Sequence, residues 1–245
     1  MMLHFLLLFL AAFGAGLLAL LIPGWKEKSF KLGLIFAGAY LFAITILHIL
    51  PELFADQNSA YYMGLYILLG FLLQQILNFM SSGIEHGHIH DHGGQSVGNS
   101  VWTLMIGLFL HAFLEGTLLS KQPMLAGHHH GSETLLIGII LHKMPEAFAL
   151  VAVLMTRMKK PGVLLLLIFF SLASPLGMIS TDLLYDQEVI GRGTLNILFG
   201  LVAGGFLHIS TIIFFESSPQ HRFQLHKLLI ILLASGLAIL TEFII

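Results

Sequence analysis

Two histidine–glutamate pairs, each with a spacing of four residues, lie inside apolar stretches of the sequence. They are His111 with Glu115 in LHAFLEG, and His142 with Glu146 in LHKMPEAFAL. A four-residue spacing places both side chains on one face of a helix. Two imidazole nitrogens and two carboxylate oxygens suit a borderline divalent cation such as Zn²⁺, with Fe²⁺, Mn²⁺ and Cd²⁺ as further fits. We therefore predict one metal site formed by these four residues.

An alternative for each pair is a hydrogen bond that only holds two helices together. Against it, both pairs lie near the middle of apolar segments, where an ionisable group costs about 2.5–3.5 kcal/mol and usually serves a function. Pro145 lies within the second pair, and its missing N–H is expected to kink the helix and free carbonyl groups there. One divalent cation would also neutralise the two carboxylates. We favour the metal site.

Lys143 directly follows His142 and lies about 100° around the helix from it. An ammonium group has no lone pair, so Lys143 cannot ligate a metal. We predict that it flanks the site as a positive charge that modulates it, and a salt bridge to one of the glutamates is the alternative.

Further histidines lie away from the middle of the apolar segments. His48 and Glu52 repeat the H-x-x-P-E motif near the outer end of the second predicted helix, Leu32–Leu53, and they indicate an entrance site or an exposed helix end. His208 and Glu216 on the seventh predicted helix, about Thr194–Phe215, would continue a path inward, or else make helix–helix contacts. A Gly- and His-rich segment adds a loose cytoplasmic metal site or a solvated linker, with the residues His86, His88, His90 and His92.

The composition is that of an integral membrane protein. The chain has 245 residues, 57% hydrophobic and 10% charged, and its mean hydropathy is +0.91, whereas soluble domains carry about 25% charged residues. Repeated apolar runs of about twenty residues favour an all-α protein with eight transmembrane helices. The predicted helices are Met2–Ile22, Leu32–Leu53, Ala60–Met80, Val101–Leu119, Glu133–Met155, Pro161–Leu183, Thr194–Phe215 and Leu225–Phe243. We predict a single transmembrane domain over residues 1–245, and the first helix is expected to be retained rather than a signal peptide.

The cations predict the orientation of these helices. With both termini outside, the inner loops hold Lys26, Lys28, Lys31, Arg157, Lys159, Lys160, Arg222 and Lys227, and the outer loops hold Lys121 and Arg192. Positive charge collects on the cytoplasmic side, so we predict both termini outside and the 81–100 loop in the cytoplasm. In a bacterium the membrane would be the inner one. A net charge of −2 gives no reason to expect a nucleic-acid partner, and the absence of cysteine excludes thiolate ligands.

An internal repeat predicts how the helices are arranged. The segments 37–46 and 203–212 share five of ten aligned residues, and the helices that contain them run in opposite directions across the membrane. Inverted repeats are typical of secondary transporters with a substrate site near the midplane. We predict a 3+2+3 arrangement, in which helices 1–3 and 6–8 are related and helices 4 and 5 are central.

These motifs resemble the ZIP (Zrt- and Irt-like) family of divalent metal transporters. The resemblance rests on HAFLEG and HKMPEAFAL, with HILPE on helix 2 and SLASPLG on helix 6. It implies that His111, Glu115, His142 and Glu146 are the primary transport site of a homodimer with an elevator-like movement. Many members have Asn and Pro at the positions of Ala112 and Leu114. Some carry an acidic residue that forms a second metal site at the position of Lys143, so we predict one bound metal here.

The predicted function is transport of a divalent cation, most simply zinc, into the cytoplasm, by a carrier or by a channel. No G-x-x-x-x-G-K-[ST] phosphate-binding loop is present, so we expect no ATP chemistry. The alternative is an intramembrane zinc-dependent hydrolase in which Glu115 or Glu146 is the general base, but no H-E-x-x-H motif is present. We therefore predict that the protein is not an enzyme, that it has no catalytic cofactor, and that the metal is its cargo.

Overall fold

The computed structural model describes residues 2–22, 27–55, 60–81, 101–120, 131–216 and 225–244. All regular structure in these ranges is helical, which confirms the all-α prediction. Helix α2 is a composite, in which Glu27–Ile44 continues through a π-helical turn, Thr45–Ile49, into Leu50–Phe54. The other helices are α1 (Met2–Leu21), α3 (Ala60–Ser81), α4 (Val101–Thr117), α5 (Gly131–Arg157), α6 (Lys160–Asp186), α7 (Arg192–Glu216) and α8 (Leu225–Ile244).

The described helices are those of a multi-pass membrane protein. Seven of them are long and apolar enough to cross a bilayer. The remaining one, α4, is also apolar but has 17 residues, so it is about 26 Å long against a hydrocarbon core of about 30 Å. It ends two residues before the predicted Leu119. Pro145 lies inside α5, which runs from Gly131 to Arg157 as one α-helix.

The helices pack as two groups. One group consists of α1, α4, α5 and α6, and we call it the site group. The other consists of α2, α3, α7 and α8, and we call it the frame group. The most extensive contacts are those of α3 with α7, α1 with α5, α4 with α6, and α2 with α8. Exchanging helices 1 with 6, 2 with 7, 3 with 8 and 4 with 5 converts these pairs into one another. The packing therefore agrees with the predicted inverted repeat.

Small residues bring backbones together within the site group. A Cβ atom added to Gly116 on α4 would overlap the carbonyl oxygen of Ser174 on α6, and one added to Gly177 would overlap that of Phe113. Ser174 also donates a hydrogen bond of 2.8 Å to the carbonyl oxygen of Ala112. Close approach at small residues is typical of membrane helices that stay together, so α4 and α6 are interlocked beside the first His–Glu pair.

The frame group is interlocked in the same way. Within it, a Cβ on Gly70 or Gly204 would overlap the backbone of the facing helix. Across the boundary between the groups, a Cβ on Gly107 of α4 would lie 3.0 Å from the nearest atom of α3, and one on Gly138 of α5 would lie 3.2 Å from a side chain of α2. These glycines therefore let the two groups meet closely without overlap of their backbones.

Candidate metal site

Helices α4 and α5 bring the four predicted ligands into one buried cluster. His111 and Glu115 come from α4, and His142 and Glu146 come from α5, because each four-residue spacing turns both side chains of a pair toward the neighbouring helix. All four are at most 3% exposed. The two imidazole rings meet edge to face, with centroids 5.8 Å apart. The cluster that the sequence predicts is therefore present as a geometric unit.

The spacing of the donor atoms suits a single ion. Nε2 of His111 lies 3.1 Å from Oε1 of Glu115 and 3.7 Å from Oε1 of Glu146, and Nε2 of His142 lies 3.7 Å from Oε1 of Glu115. Ligand atoms that share one tetrahedral Zn²⁺ at about 2.0–2.1 Å lie about 3.3–3.4 Å apart. The observed distances lie on both sides of this value, so an ion could be bound with small side-chain adjustments.

Several of these donor atoms lack a hydrogen bond within the described part of the chain. Both ring nitrogens of His142 and Oε1 of Glu146 are buried in this state. Buried polar side-chain atoms nearly always have a partner, and leaving one unsatisfied costs about 1–3 kcal/mol. A bound cation would use the one lone pair of the neutral His142 ring and a lone pair of Glu146, so the donor set fits a divalent metal.

Lys143 pairs with both carboxylates of the cluster. Its Nζ lies 2.6 Å from Oε2 of Glu115 and 2.8 Å from Oε2 of Glu146, and it also lies 5.2 Å from the ring centroid of Phe170. Each glutamate thus directs one oxygen toward the lysine and the other toward a histidine. The sequence predicted a flanking charge or a salt bridge to one glutamate, and the structure shows a bridge to two.

Gln74 on α3 supports the site and was not predicted. Its Oε1 lies 3.1 Å from Nδ1 of His111, and the residue is 3% exposed. An amide oxygen can only accept, so Nδ1 of His111 carries the proton and Nε2 is left as the metal ligand. Such outer partners orient ligating histidines in metal sites. The sequence signal was the polar pair Gln74-Gln75 in the middle of an apolar helix.

Comparison with known proteins identifies the family of the chain. A family model described as the ZIP zinc transporter matches residues 84–241, which is more than half of the chain. The chain belongs to the ZIP zinc transporter family. Because members of this family are transporters, the match confirms both the predicted resemblance and the prediction that this ZIP chain is not an enzyme.

Individual relatives are more distant. Protein zntD of Dictyostelium discoideum is 29% identical over 175 residues, which cover 64% of this chain and 24% of that protein. Zinc transporter ZIP9 of Xenopus tropicalis is 28% identical over 165 residues, and ZIP9-B of Xenopus laevis is 29% identical over 165, each covering 63% of this chain and 52% of the relative. The ZIP chain thus spans between about a quarter and a half of the length of these curated relatives.

A cavity borders the cluster at the boundary between the two helix groups. It is lined by Gly70 and Gln74 of α3, Glu115 of α4, and Gly205 and Phe206 of α7, among others. The lining residues come from the frame group on two sides and from the site group on the third. One face of the His–Glu cluster of this ZIP chain is therefore directed toward the surface along which the two groups meet.

The remaining predicted residues lie apart from the cluster. His208 is buried on α7, where its Nε2 lies 2.5 Å from Oε1 of Gln75 and its ring packs edge to face on Phe71, so it contacts α3. His48 and Glu52 lie together on α2. Glu216 ends α7, but its side chain lies outside the described part of the structure. The loop histidines, His86, His88, His90 and His92, also lie outside the described residues.

Proposed function

We propose that this ZIP chain transports divalent metal cations, zinc foremost, through the bilayer into the cytoplasm. The observation that carries the proposal is the buried cluster of His111, Glu115, His142 and Glu146. One donor atom from each of His111, His142 and Glu146 lies within 4.8 Å of the other two, and Oε1 of Glu115 lies 3.1 Å from Nε2 of His111. The ZIP9 relatives support zinc as the cargo, since both are named as zinc transporters. The ion is the substrate, so no catalytic cofactor is required.

The packing supports a carrier of the elevator type. All four ligands belong to the site group, so the ion and its ligands could move as one body against the frame group. The cavity beside Glu115 lies along the boundary between the two groups. In this proposal both termini are outside, the ion enters past His48 and Glu52, and it leaves past His208 and Glu216 toward the cytoplasmic loop histidines.

Lys143 is proposed to restrict the site to one metal ion. Its ammonium group already lies within 2.6–2.8 Å of one oxygen of each carboxylate, where a second cation would have to bind. The residual charge of two carboxylates and one lysine is −1, which favours one divalent ion and opposes two. Anomalous diffraction from zinc-loaded crystals should therefore show one zinc at the α4–α5 site, and two zinc peaks there would contradict the proposal.

A homodimer is proposed to form along an exposed stripe on α3. Large apolar side chains follow one another there at intervals of three and four residues, namely Tyr62, Leu65, Leu69, Leu72, Ile76 and Phe79. This spacing gives a continuous seam along one helix face. Because α3 belongs to the frame group, the seam would leave the site group free to move, as the family resemblance implies.

The chain lends itself to a direct test of this dimer because it contains no native cysteine. A Leu69→Cys variant should form a disulfide-linked dimer when the membranes are oxidised. Leu165→Cys is the matched control, since Leu165 is 67% exposed on α6 of the site group. Equal cross-linking of both variants, or none at Leu69, would exclude the α3 interface.

Zinc flux into proteoliposomes tests the transport function itself. Folded wild-type protein should carry zinc down its gradient, and His142→Ala or Glu146→Ala should abolish the flux because each removes one of four ligands. His4→Ala removes a histidine outside the cluster, on α1, and should retain flux. Folded wild-type protein that carries no divalent cation would overturn the transport proposal and reopen the hydrolase alternative.

A further inference from the structure

A second cluster of metal-ligating side chains lies at the outer ends of α2 and α8, in the frame group. His48 is in the π-helical turn of α2, Glu52 follows one turn later, and Glu242 comes from α8. Their side chains are 10%, 11% and 15% exposed. The neighbouring residue Thr241 lies 2.9 Å from the hydroxyl oxygen of Tyr40, which fixes the end of α8 against α2. Glu242 was not predicted from the sequence.

Glu242 determines which nitrogen of His48 can bind a metal. Its Oε1 lies 2.9 Å from Nδ1 of His48, and an ionised carboxylate can only accept, so Nδ1 carries the proton. The lone pair of Nε2 is then directed toward Oε2 of Glu52, at 3.4 Å. That separation equals the distance of about 3.3–3.4 Å between two ligands of one tetrahedral Zn²⁺.

This arrangement repeats half of the buried site. In both places a histidine and a glutamate four residues apart direct Nε2 and a carboxylate oxygen toward a shared point. In both places an acceptor from another helix holds Nδ1, Gln74 for His111 and Glu242 for His48. A carboxylate–histidine–metal arrangement is the usual way in which proteins orient a ligating imidazole. Oε2 of Glu242 is also buried without a hydrogen bond in the described residues.

We propose that His48 and Glu52 form a second site for a divalent cation, with Glu242 as a positioning residue. Two protein ligands leave two tetrahedral positions for water, so this site should hold the ion more weakly than the four-ligand site. It lies in the frame group and would stay in place while the site group moves. It therefore loads cargo and passes it inward, a role that rests on the proposed transport function.

Anomalous diffraction from crystals of the full chain soaked in zinc chloride locates the two sites separately. Wild-type protein should give a peak between His48 and Glu52 in addition to the α4–α5 peak. Glu52→Gln should remove the outer peak and keep the buried one. An α4–α5 peak without an outer one would overturn this inference alone, whereas no peak at either position would contradict the transport proposal as well.

Flux kinetics test the loading role and the part played by Glu242. Glu52→Gln should raise the KM for zinc uptake about tenfold with little change in maximal rate, because the buried site is intact. Glu242→Leu should weaken outer zinc binding about 10–100-fold, as other losses of an outer partner do. Glu242→Gln keeps an oxygen acceptor for Nδ1 and should lie between Glu242→Leu and wild type.

The chain contains a matched control at the same membrane surface. Nε2 of His4 also lies 3.4 Å from a glutamate oxygen, on Glu133, but these side chains are 23% and 61% exposed. The His4–Glu133 separation equals the His48–Glu52 separation, whereas the side chains of His4 and Glu133 are much less buried than those of His48 and Glu52. Glu133→Gln should leave both the KM and the outer zinc peak unchanged. An equal KM shift in Glu52→Gln and Glu133→Gln would attribute the effect to surface charge and overturn the inference.

Discussion

The same H-x-x-P-E pattern occurs twice in this chain and has two different surroundings. His142 and Glu146 are fully buried on α5, where α4 adds a second pair and Lys143 bridges the carboxylates. His48 and Glu52 are near the end of α2, where α8 adds one carboxylate. The local spacing is identical, so the two sites differ in Lys143, which lies within the first motif itself, and in what the other helices supply. The comparison indicates that the motif forms half a site and that its neighbours determine how tightly a cation is held.

The buried His–Glu pair differs from the outer pair most strongly in the positive charge that Lys143 supplies. Lys143→Met would leave the carboxylates of Glu115 and Glu146, both at most 1% exposed, without their shared cation. Removing one partner from a buried ion pair costs about 3–5 kcal/mol. We expect the metal-free variant to unfold at a clearly lower temperature than wild type, and added zinc to raise that temperature by more than it does in wild type.

Thermal unfolding in detergent, with and without zinc, measures both effects. Lys143→Arg keeps the positive charge at this position and is the control, so its metal-free stability should lie closer to that of wild type. If Lys143→Met is as stable as wild type without zinc, then the lysine does not compensate the two carboxylates. A zinc-induced stabilisation no larger than that of wild type would contradict the proposed competition between the ammonium group and the metal.

The group that accepts the hydrogen bond from Nδ1 of the histidine is an amide at the buried site and a carboxylate at the outer site. Mutation can replace one kind of acceptor by the other. Gln74→Leu should weaken zinc binding at the α4–α5 site about 10–100-fold, because Nδ1 of His111 loses its acceptor. Gln74→Glu supplies a carboxylate there, as Glu242 does for His48, and should restore the binding. Competition between zinc and a chelating dye, followed by the maximal flux rate, measures the change. Equal losses in both variants would show that Gln74 fills space rather than orients His111.

The sequence was sufficient for features that depend on spacing along one helix. The eight apolar segments and the pairing of histidine with glutamate on one helix face both follow from intervals within single helices. Gln74 and Glu242 were missed because their roles depend on how α3 and α8 pack against helices distant in the chain. Lys143 was predicted to lie beside the cluster, but its bridge to two carboxylates required the distance between α4 and α5. Contacts between helices were thus the unpredictable part.

The prolines provide the finest distinction between the two motifs. Pro145 lies within a helix that stays α-helical throughout, whereas Pro51 lies two residues after the π-helical turn that contains His48. Proline has no N–H to donate to the preceding turn, and π-helical turns often mark functional sites. Pro51→Ala restores that donor and should allow the turn to tighten, which would shift His48 relative to Glu52 and Glu242. We expect a rise of the zinc KM by a few fold with an unchanged maximal rate, the smallest effect considered. An unchanged KM, together with a retained outer zinc peak, would show that His48 is held by Glu242 alone and that the π-helical turn is incidental.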